Sequence, residues 1–434
     1  MRVLGITETC DLGSLYLRLI ADGQEVKVSV SEPLAQGTMA GLVPRVKSWE
    51  EELDWVRGDP PGIIIFEAVG FGELQDRLRA DGFDVIGGSA FGDRLENDRE
   101  YALGLLQQWG LKAAPVRSFT IADEAIADLE QHPRRCVFKL CDSAGDTFVG
   151  ELADGSDVAA LLRVKPPPEG TAFILMDHID GVETGVGAYF NGTRFLKPAC
   201  LDWEHKRFFA GNLGELTGEM GTVATFTGSE RLFDATLRPL ELLFRDAGHV
   251  GWVNLNTVIN EEGVWPLEFT CRFGYPGFAV LEPLQAIGWS GLFSLLVNRG
   301  SENFAAHGGF STCVVLTTPP MPLSRKQVDA PIGLPLLVGD VDPKHLHLGE
   351  VAAAKSGLVT AGLYGWTAVV TGTGETVPEA TAAAYANAAK VYTPNIRYRL
   401  DIGGALINGD LERLSKWGWL KSTPSKRMAS QIVR

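Results

Sequence analysis

Short apolar runs alternate with amphipathic segments along the first part of the chain. Residues 62–67 (GIIIFE) are apolar up to their final glutamate, a run typical of a strand buried on both faces. Residues 2–6 and 83–86 are also predicted strands, whereas residues 14–21 and 71–81 have the spacing of helices that bury one face. Repeated strand–helix units of this kind predict a doubly wound α/β domain.

The pattern then changes to longer strands with few helices between them. Residues 253–259 and 264–269 are predicted strands, and the Asn260-Glu261-Glu262-Gly263 segment between them is typical of a hairpin turn. The other predicted strands are residues 136–140, 173–179, 183–190, 192–201, 222–225, 310–317 and 365–371. The predicted helices are residues 93–110, 119–132, 229–247 and 376–391. Together these elements indicate α+β units after the first domain.

Composition and charge narrow the classes of function. The 54 acidic and 39 basic residues give a net charge of −15, which argues against non-specific binding to nucleic acid or to an anionic membrane. No apolar run approaches the roughly 20 residues of a membrane span, and the N-terminus has no signal-peptide pattern. The six cysteines are dispersed without a C-x-x-C pair, which predicts reduced thiols in a cytoplasmic protein. We expect small-molecule substrates, and the oligomeric state stays open.

The segment with the most informative chemistry is residues 266–274 (PLEFTCRFG). Side chains alternate along a strand, so Glu268, Thr270 and Arg272 are predicted to share one face. An acid and a hydroxyl so spaced can hold a magnesium ion, and the guanidinium can bind a phosphate oxygen. A solvated strand face is the alternative. The neighbouring Asn254 and Asn256 are either further oxygen ligands or ordinary hydrogen-bonding groups.

Two further segments concentrate charge or glycine. Residues 204–207 (EHKR) place cations and an imidazole before a glycine-rich loop at residues 211–221, which lets backbone approach a ligand closely. Lys139 lies in the apolar run VFKL, where a lysine is costly unless it meets an anion. The alternatives for Lys139 are a nucleotide phosphate partner or a place on an edge strand.

Taken in order, these segments resemble the phosphoribosylamine–glycine ligases, a family of ATP-grasp enzymes. The family motifs D-H-K-R, T-G-G-M-G, E-F-N-x-R-F-G-D-P-E and Y-R-x-D-I-G correspond here to residues 204–207 (EHKR), 217–221 (TGEMG), 268–277 (EFTCRFGYPG) and 398–403 (YRLDIG). The resemblance covers the chain to about residue 406. It implies an α/β ATP-grasp fold in four parts. These are an N-terminal doubly wound domain at 1–92, a two-lobed ATP-binding region at 93–307 with a small lid lobe at about 113–180, a C-terminal α+β domain at 308–410, and a basic tail at 411–434.

The resemblance also implies roles for individual residues. ATP is expected between the two lobes, with Mg²⁺ or Mn²⁺ bridging its phosphates. The metal ligands implied are Glu268 and Thr270, with Asn256 from the neighbouring strand. Arg272 and Lys206 are expected to stabilise an acyl phosphate as catalytic residues, because negative charge on a transferred phosphoryl group needs cations. The residues implied to bind nucleotide are Arg99, Lys139, Met176, Asp177, His178 and Glu183.

The departures from the family fall mainly at the acceptor site. The family's second metal ligand is asparagine, whereas this chain has Thr270, a poorer magnesium ligand. The lid loop after Lys139 lacks the second lysine. The family's N-terminal G-x-G-G-R-E-H stands here as residues 5–11 (GITETCD), where acids replace the arginine and should repel a 5′-phosphate.

These observations favour an ATP-dependent ligase that activates a small amino acid such as glycine and joins it to an altered amine or hydroxyl acceptor. A genuine phosphoribosylamine–glycine ligase and a non-catalytic nucleotide-binding relative are the alternatives.

Overall fold

The structure, a computed structural model, describes residues 1–140 and 147–420. The chain divides into two compact units. Unit 1 comprises Met1–Glu96, Glu183–Asn256 and the described residues from Glu268 onward, and unit 2 comprises Asn97–Val182 and Thr257–Leu267. Among the described residues, no helix combines the length and the apolar character needed to cross a membrane.

The N-terminal part of unit 1 is a five-stranded parallel sheet, as predicted for a doubly wound α/β domain. Its strands, in spatial order, are Arg45–Val46, Glu25–Val30, Arg2–Thr7, Ile63–Phe66 and Asp84–Ile86. Its helices are Gly13–Ala21, Leu53–Val56, Gly72–Ala80 and Ala90–Asn97. The strand Ile63–Phe66 is buried along its whole length, which explains its uninterrupted apolar sequence. The carboxyl end of Arg2–Thr7 turns directly into the first helix, and this turn reaches the site described below.

An eight-stranded sheet follows, and it carries the candidate site residues Glu183, Asn256, Glu268 and Thr270. Its strands, in spatial order, are Gly263–Thr270, Val250–Asn260, Val182–Asn191, Cys200–Glu204, Gly221–Thr225, Phe310–Thr317, Trp366–Gly374 and Leu346–Leu348. A two-stranded ribbon of Arg207–Phe209 and Leu213–Leu216 lies in the segment between Cys200–Glu204 and Gly221–Thr225. The boundary between the two units falls within the hairpin strands Val250–Asn260 and Gly263–Thr270.

The C-terminal part of unit 1 adds a small sheet and two helices. The sheet has the spatial order Val351–Ala354, Gly357–Thr360, Pro335–Val338 and Val391–Tyr392. The helix Val377–Ala388 begins at a capping box, in which the side chains of Thr376 and Glu379 each accept the other residue's backbone N–H. A second helix, Leu411–Lys416, occupies the start of the segment predicted as a basic tail, and residues 421–434 of that tail lie outside the described residues.

The core of unit 1 is rich in aromatic side chains. Phe244, on the helix Glu241–Asp246, is fully buried and its ring lies 5.3 Å from Phe91, 5.8 Å from Phe190 and 5.7 Å from Phe195. The other helices of this unit are Glu230–Ala235, Gly277–Leu281 and Trp289–Asn298. This packing fixes the strands from which the candidate site residues project.

Unit 2 is a small α+β body with its own core. Its antiparallel sheet has the spatial order Val116–Phe119, Phe173–Asp177, Cys136–Leu140 and Thr147–Val149. Its helices are Arg99–Gln108, Ala122–Gln131 and Ser156–Val164. Phe138 and Phe173 pack with 5.4 Å between ring centroids in a buried cluster with residues of the last two helices.

Two predicted helices are divided, each for a local reason. The predicted helix at residues 93–110 is two helices, because the side chain of Asp98 accepts the backbone N–H of Tyr101 and starts the second one. The predicted helix at residues 229–247 is interrupted at Arg238–Leu240, where Pro239 has no backbone N–H to donate.

The five described cysteines are buried and form no disulfide, and Cys141 lies outside the described residues.

Candidate active site

A single cavity in unit 1 brings all five predicted catalytic and metal-binding residues together. Its volume is about 440 Å³, and Glu268, Thr270, Arg272, Asn256 and Lys206 all line it. Glu268 and Thr270 lie at alternate positions at the end of the strand Gly263–Thr270, and Arg272 lies two positions beyond it, as the strand periodicity predicts. Among the described residues, eight carboxyl side chains and two basic ones line this cavity. The site is therefore strongly acidic.

The Lys206 ammonium is surrounded by three carboxylates. Its Nζ atom lies 2.5 Å from Glu268 Oε1, 3.3 Å from Glu204 Oε2 and 3.9 Å from Glu183 Oε1. Burial alone would lower the pKa of Lys206, but these three carboxylates together raise it above its ordinary value. Lys206 therefore stays protonated and holds a positive charge beside Glu268.

The Arg272 guanidinium is held by Glu96, a residue that the sequence analysis did not single out. Arg272 Nε and Nη2 lie 3.1 and 3.0 Å from Glu96 Oε1. The other oxygen of Glu96 accepts the backbone N–H of Cys271 at 3.0 Å. Glu96 thus fixes both the side chain and the backbone at this point. No sequence pattern connects it to Arg272, from which it lies 176 positions away.

The residues predicted to hold a metal have donor atoms suited to magnesium. Glu268, Thr270 and Asn256 supply carboxylate, hydroxyl and amide oxygens on one cavity wall. Asn256 donates its Nδ2 to Glu183 at 2.8 Å, a bond that uses the amide nitrogen and not the oxygen. Glu204 and Glu268 already bind one cationic group here, the Lys206 ammonium, which shows that these carboxylates attract positive charge. The donor set therefore fits a magnesium ion.

Two buried carboxyl groups of the cavity, Asp202 and Glu219, escaped the sequence analysis. Burial and the neighbouring Glu204 raise the pKa of Asp202 to about 8, although Asn254 donates to it at 2.6 Å. Burial, with Glu204 and Asp202, also raises the pKa of Glu219. Asp202 lies two positions before Glu204 on the strand Cys200–Glu204, so strand alternation was a usable signal for it.

The C-terminal YRLDIG segment braces the loop around Lys206. Arg399 is buried and donates to the backbone oxygen of Arg207 at 3.1 Å and to Asn212 Oδ1 at 2.7 Å. Asp401 accepts the Gly211 N–H at 2.8 Å, and Gly403 N–H donates to His205 Nε2 at 3.1 Å. Burial and Arg399 lower the pKa of His205 to about 4, which keeps it neutral as an acceptor. The motif thus holds the EHKR segment in place.

The turn after the first strand forms another wall of the cavity. Thr7, Glu8, Thr9 and Asp11 line it together with Glu67. Glu67 accepts from Thr7 Oγ1 at 2.7 Å, from Tyr16 Oη at 2.5 Å and from the Leu12 N–H at 3.1 Å. These three bonds tie the turn to the adjacent parallel strand, so the acidic residues of the turn are held in place.

Glu67 gives the stability of the fold a pH dependence. Burial, with Asp11 adding to it, raises the pKa of Glu67 from 4.5 to about 7. Between these values the folded protein keeps a proton that the unfolded chain has released, so the free energy of unfolding falls as the pH rises through this window. Relative to Glu67→Gln, the wild type should lose up to about 3 kcal/mol between pH 5 and pH 8 in urea unfolding.

The exposed Glu51, for which Glu51→Gln is the matched control, should leave the pH profile of the wild type unchanged. Parallel profiles for the wild type and Glu67→Gln would contradict the raised pKa.

Aromatic rings close a further side of the cavity. Tyr275 and Trp366 stack with 5.1 Å between centroids, and Tyr364 stacks on Trp366 at 4.9 Å. The segment that carries Tyr364 and Trp366 is anchored by the buried Glu350, whose carboxylate accepts backbone N–H groups of residues 363–366 at distances between 2.5 and 3.2 Å. The backbone that carries two of these rings is thus held by Glu350 independently of the rings' own contacts.

Five residues predicted to bind nucleotide belong to unit 2. Lys139 lies on Cys136–Leu140, which pairs on both sides, so the edge-strand alternative is wrong. Asp177 binds Arg134 at 2.7 Å, and Met176 is buried on the same strand. Burial and Arg135 lower the pKa of His178. Arg99 is the first residue of the helix Arg99–Gln108.

The loop at residues 141–146, where the lid lacks its second lysine, lies outside the described residues. Glu183, the sixth predicted nucleotide residue, belongs to unit 1 beside Lys206.

Comparisons with known proteins agree with the motif order. No family model matches the chain. The phosphoribosylamine–glycine ligase of Neisseria meningitidis serogroup B is 26% identical over 365 residues, which cover 80% of this chain and 85% of that protein. The corresponding ligase of Listeria monocytogenes is 26% identical over 414 residues, or 92% of this chain and 95% of the relative.

Among solved structures, phosphoribosylamine–glycine ligase of Thermotoga maritima matches with a TM-score of 0.69 at 21% identity, over 93% of this chain and all of that chain. The predicted ATP-grasp fold and the predicted resemblance to these ligases are confirmed.

Proposed function

We propose that this protein is an ATP- and magnesium-dependent ligase that activates a small amino acid and joins it to an amine or hydroxyl acceptor other than phosphoribosylamine. Glycine is the acid we favour, since the similar curated proteins are named phosphoribosylamine–glycine ligases. The observation that carries the proposal is the cavity in which Glu268, Lys206 and Arg272 lie together. We place the reaction in the cytoplasm, where the buried reduced cysteines are stable.

The proposed reaction has two steps. In the first, a carboxylate oxygen of the amino acid bonds to the γ-phosphorus of ATP, the bond to the β-phosphate oxygen breaks, and ADP leaves. In the second, the acceptor's nitrogen or oxygen bonds to the carbonyl carbon of the acyl phosphate, the acceptor gives up a proton, and inorganic phosphate leaves. Both steps build negative charge on phosphoryl oxygens, which positioned cations stabilise.

The chain supplies these cations and their supports. Lys206, kept protonated by its carboxylate neighbours, and Arg272, oriented by Glu96, offset the charge on the transferred phosphoryl group. Glu268, Thr270 and Asn256 are the residues that would hold magnesium, which when bound neutralises charge on the nucleotide phosphates. Arg99, Lys139, Met176, Asp177, His178 and Glu183 keep their proposed role in nucleotide binding.

The altered acceptor is proposed from the acidic turn at residues 7–11. Glu8, Asp11 and Glu67 line the cavity, and Thr9 between the first two stands at the position of the family motif's arginine. Carboxylates at this place repel a 5′-phosphate, because like charges in a partly buried site interact strongly. The nucleotide end keeps its cations, whereas the acceptor end has changed its charge.

The test of the proposed function is ADP formation by the full chain with ATP, magnesium and glycine, with and without phosphoribosylamine. We expect glycine-dependent trapping of an acyl phosphate by hydroxylamine in the absence of phosphoribosylamine, and no stimulation of ADP release when phosphoribosylamine is added. Each reaction without glycine is the control. Strong ADP release that requires phosphoribosylamine would instead establish the family's own reaction and overturn the altered acceptor.

A non-catalytic role is the second candidate, and Thr270 in place of the family's asparagine favours it. Such a protein would be stabilised against heat by ATP without releasing ADP, across a panel of amino acids and amines. Amino-acid-dependent ADP release would exclude this role.

A further inference from the structure

Glu219 is a buried carboxylate that neither proposed step uses. It is 8% exposed, it lines the cavity, and its Oε1 atom has no hydrogen-bond partner. Asp202 is 6% exposed, also lines the cavity, and also has one carboxylate oxygen, Oδ1, without a partner. Burying such groups without partners is costly, so each calls for a proton or a cation.

The two basic side chains of the cavity form their ion pairs with other carboxylates, although the charge of Lys206 acts against the raised pKa of both Asp202 and Glu219. Lys206 lies closest to Glu268, at 2.5 Å, and Arg272 binds Glu96 at 3.0 Å. Within the described lining of the cavity, Asp202 and Glu219 therefore have no cation bonded to them. Glu219 stands where the family's T-G-G-M-G motif has its second glycine, so this acidic side chain is an addition in this chain.

Two aromatic rings accompany these carboxylates in the cavity. Tyr275 and Trp366, the stacked pair, line the same cavity. The backbone next to Glu219 lies against the Trp366 ring, because a Cβ atom at Gly218 would be 3.6 Å from Trp366 Cζ2. Carboxylates beside aromatic faces are the combination that binds organic ammonium groups, through charge and cation–π attraction.

We propose that Glu219, assisted by Asp202, binds a positively charged ammonium group of the acceptor against the rings of Tyr275 and Trp366. The acceptor class is thus an amine that carries a second cationic group and no phosphate. This inference rests on the proposed function only in assigning the bound ammonium group to the acceptor substrate. The site itself is defined by the residues of the cavity. Such an acceptor explains both changes from the family motifs, the acidic turn at residues 7–11 and the added carboxylate of Glu219, because acidic groups repel phosphate and attract ammonium.

The probe is 1,3-diaminopropane, titrated calorimetrically into the full chain without nucleotide or glycine. We expect saturable binding to the wild type, and a dissociation constant at least about tenfold higher for Glu219→Gln, because a charge-assisted contact to a buried carboxylate is lost. Glu215→Gln, at an exposed position on the strand Leu213–Leu216 just before Glu219, is the matched control and should bind like the wild type. O-phosphoethanolamine should bind at least about tenfold more weakly than the diamine.

Each contrary result overturns the proposal. Absence of diamine binding to the wild type, or equal binding by Glu219→Gln, removes Glu219 from the site. Displacement of the diamine by Mg²⁺, with Mg²⁺ binding equally dependent on Glu219, would identify a metal site instead. If Glu219→Gln does not fold, Asp202→Asn and Glu219→Gly replace it under the same criteria. Because the titration needs no turnover, absent ADP release counts against the proposed function alone, and absent diamine binding counts against the acceptor site alone.

Discussion

Replacing Glu268 by alanine is expected to lower glycine-dependent ADP release at least about a hundredfold. Glu268 lines the cavity and makes the shortest ion-pair contact of Lys206, at 2.5 Å. The substitution removes a proposed metal ligand and leaves the Lys206 ammonium with a different set of partners. The initial rate of ADP release at saturating ATP, magnesium and glycine is the measurement.

The matched control is Glu375→Ala, at an exposed position outside the cavity, which should retain the wild-type rate. Glu268→Gln separates charge from shape, because it keeps the size of the side chain, and it too should lose most of the activity. Thermal unfolding of each variant checks that the fold is intact. An unchanged rate in a folded Glu268→Ala protein would remove this residue from the reaction.

Replacing Phe244 by alanine is expected to have the largest effect on stability, lowering the free energy of unfolding by about 3–5 kcal/mol. The Phe244 ring is fully buried and contacts Phe91, Phe190 and Phe195 at centroid distances below 6 Å. Truncation would remove these contacts and leave a cavity that the surrounding rings cannot fill without moving. Urea unfolding at constant pH gives the measurement.

Leu242, on the same helix, provides the control because its side chain is 53% exposed. Leu242→Ala should change the free energy of unfolding by no more than about 0.5 kcal/mol. Equal effects of the two substitutions would contradict the packing described for this helix.

The sequence predicts the parts of the fold that depend on local pattern. The apolar run at residues 62–67 identified an interior parallel strand, and the turn at residues 260–263 identified the hairpin whose second strand carries Glu268. Strand alternation also placed Glu268, Thr270 and Arg272 on one wall. The predicted helix at residues 229–247 is interrupted near Pro239, because the spacing of apolar residues does not reflect the missing N–H of a proline.

The remainder of the site depends on contacts between distant parts of the chain. Glu96 meets Arg272 across 176 positions, and Arg399 holds the backbone at Arg207 across 192. Glu219 lies in a glycine-rich segment, where sequence alone gives no indication that a side chain is buried. Its environment is set by strands and loops that meet only in the folded protein, so its unpartnered carboxylate could be found only there.

The anchoring of Tyr364 and Trp366 has a consequence for how such a cavity diversifies. Glu350 holds this segment through backbone N–H groups, so the side chains at residues 364 and 366 can be exchanged without removing the anchor. A lineage, or a protein engineer, can therefore vary the two rings and alter selectivity while the scaffold and the phosphoryl chemistry are inherited intact.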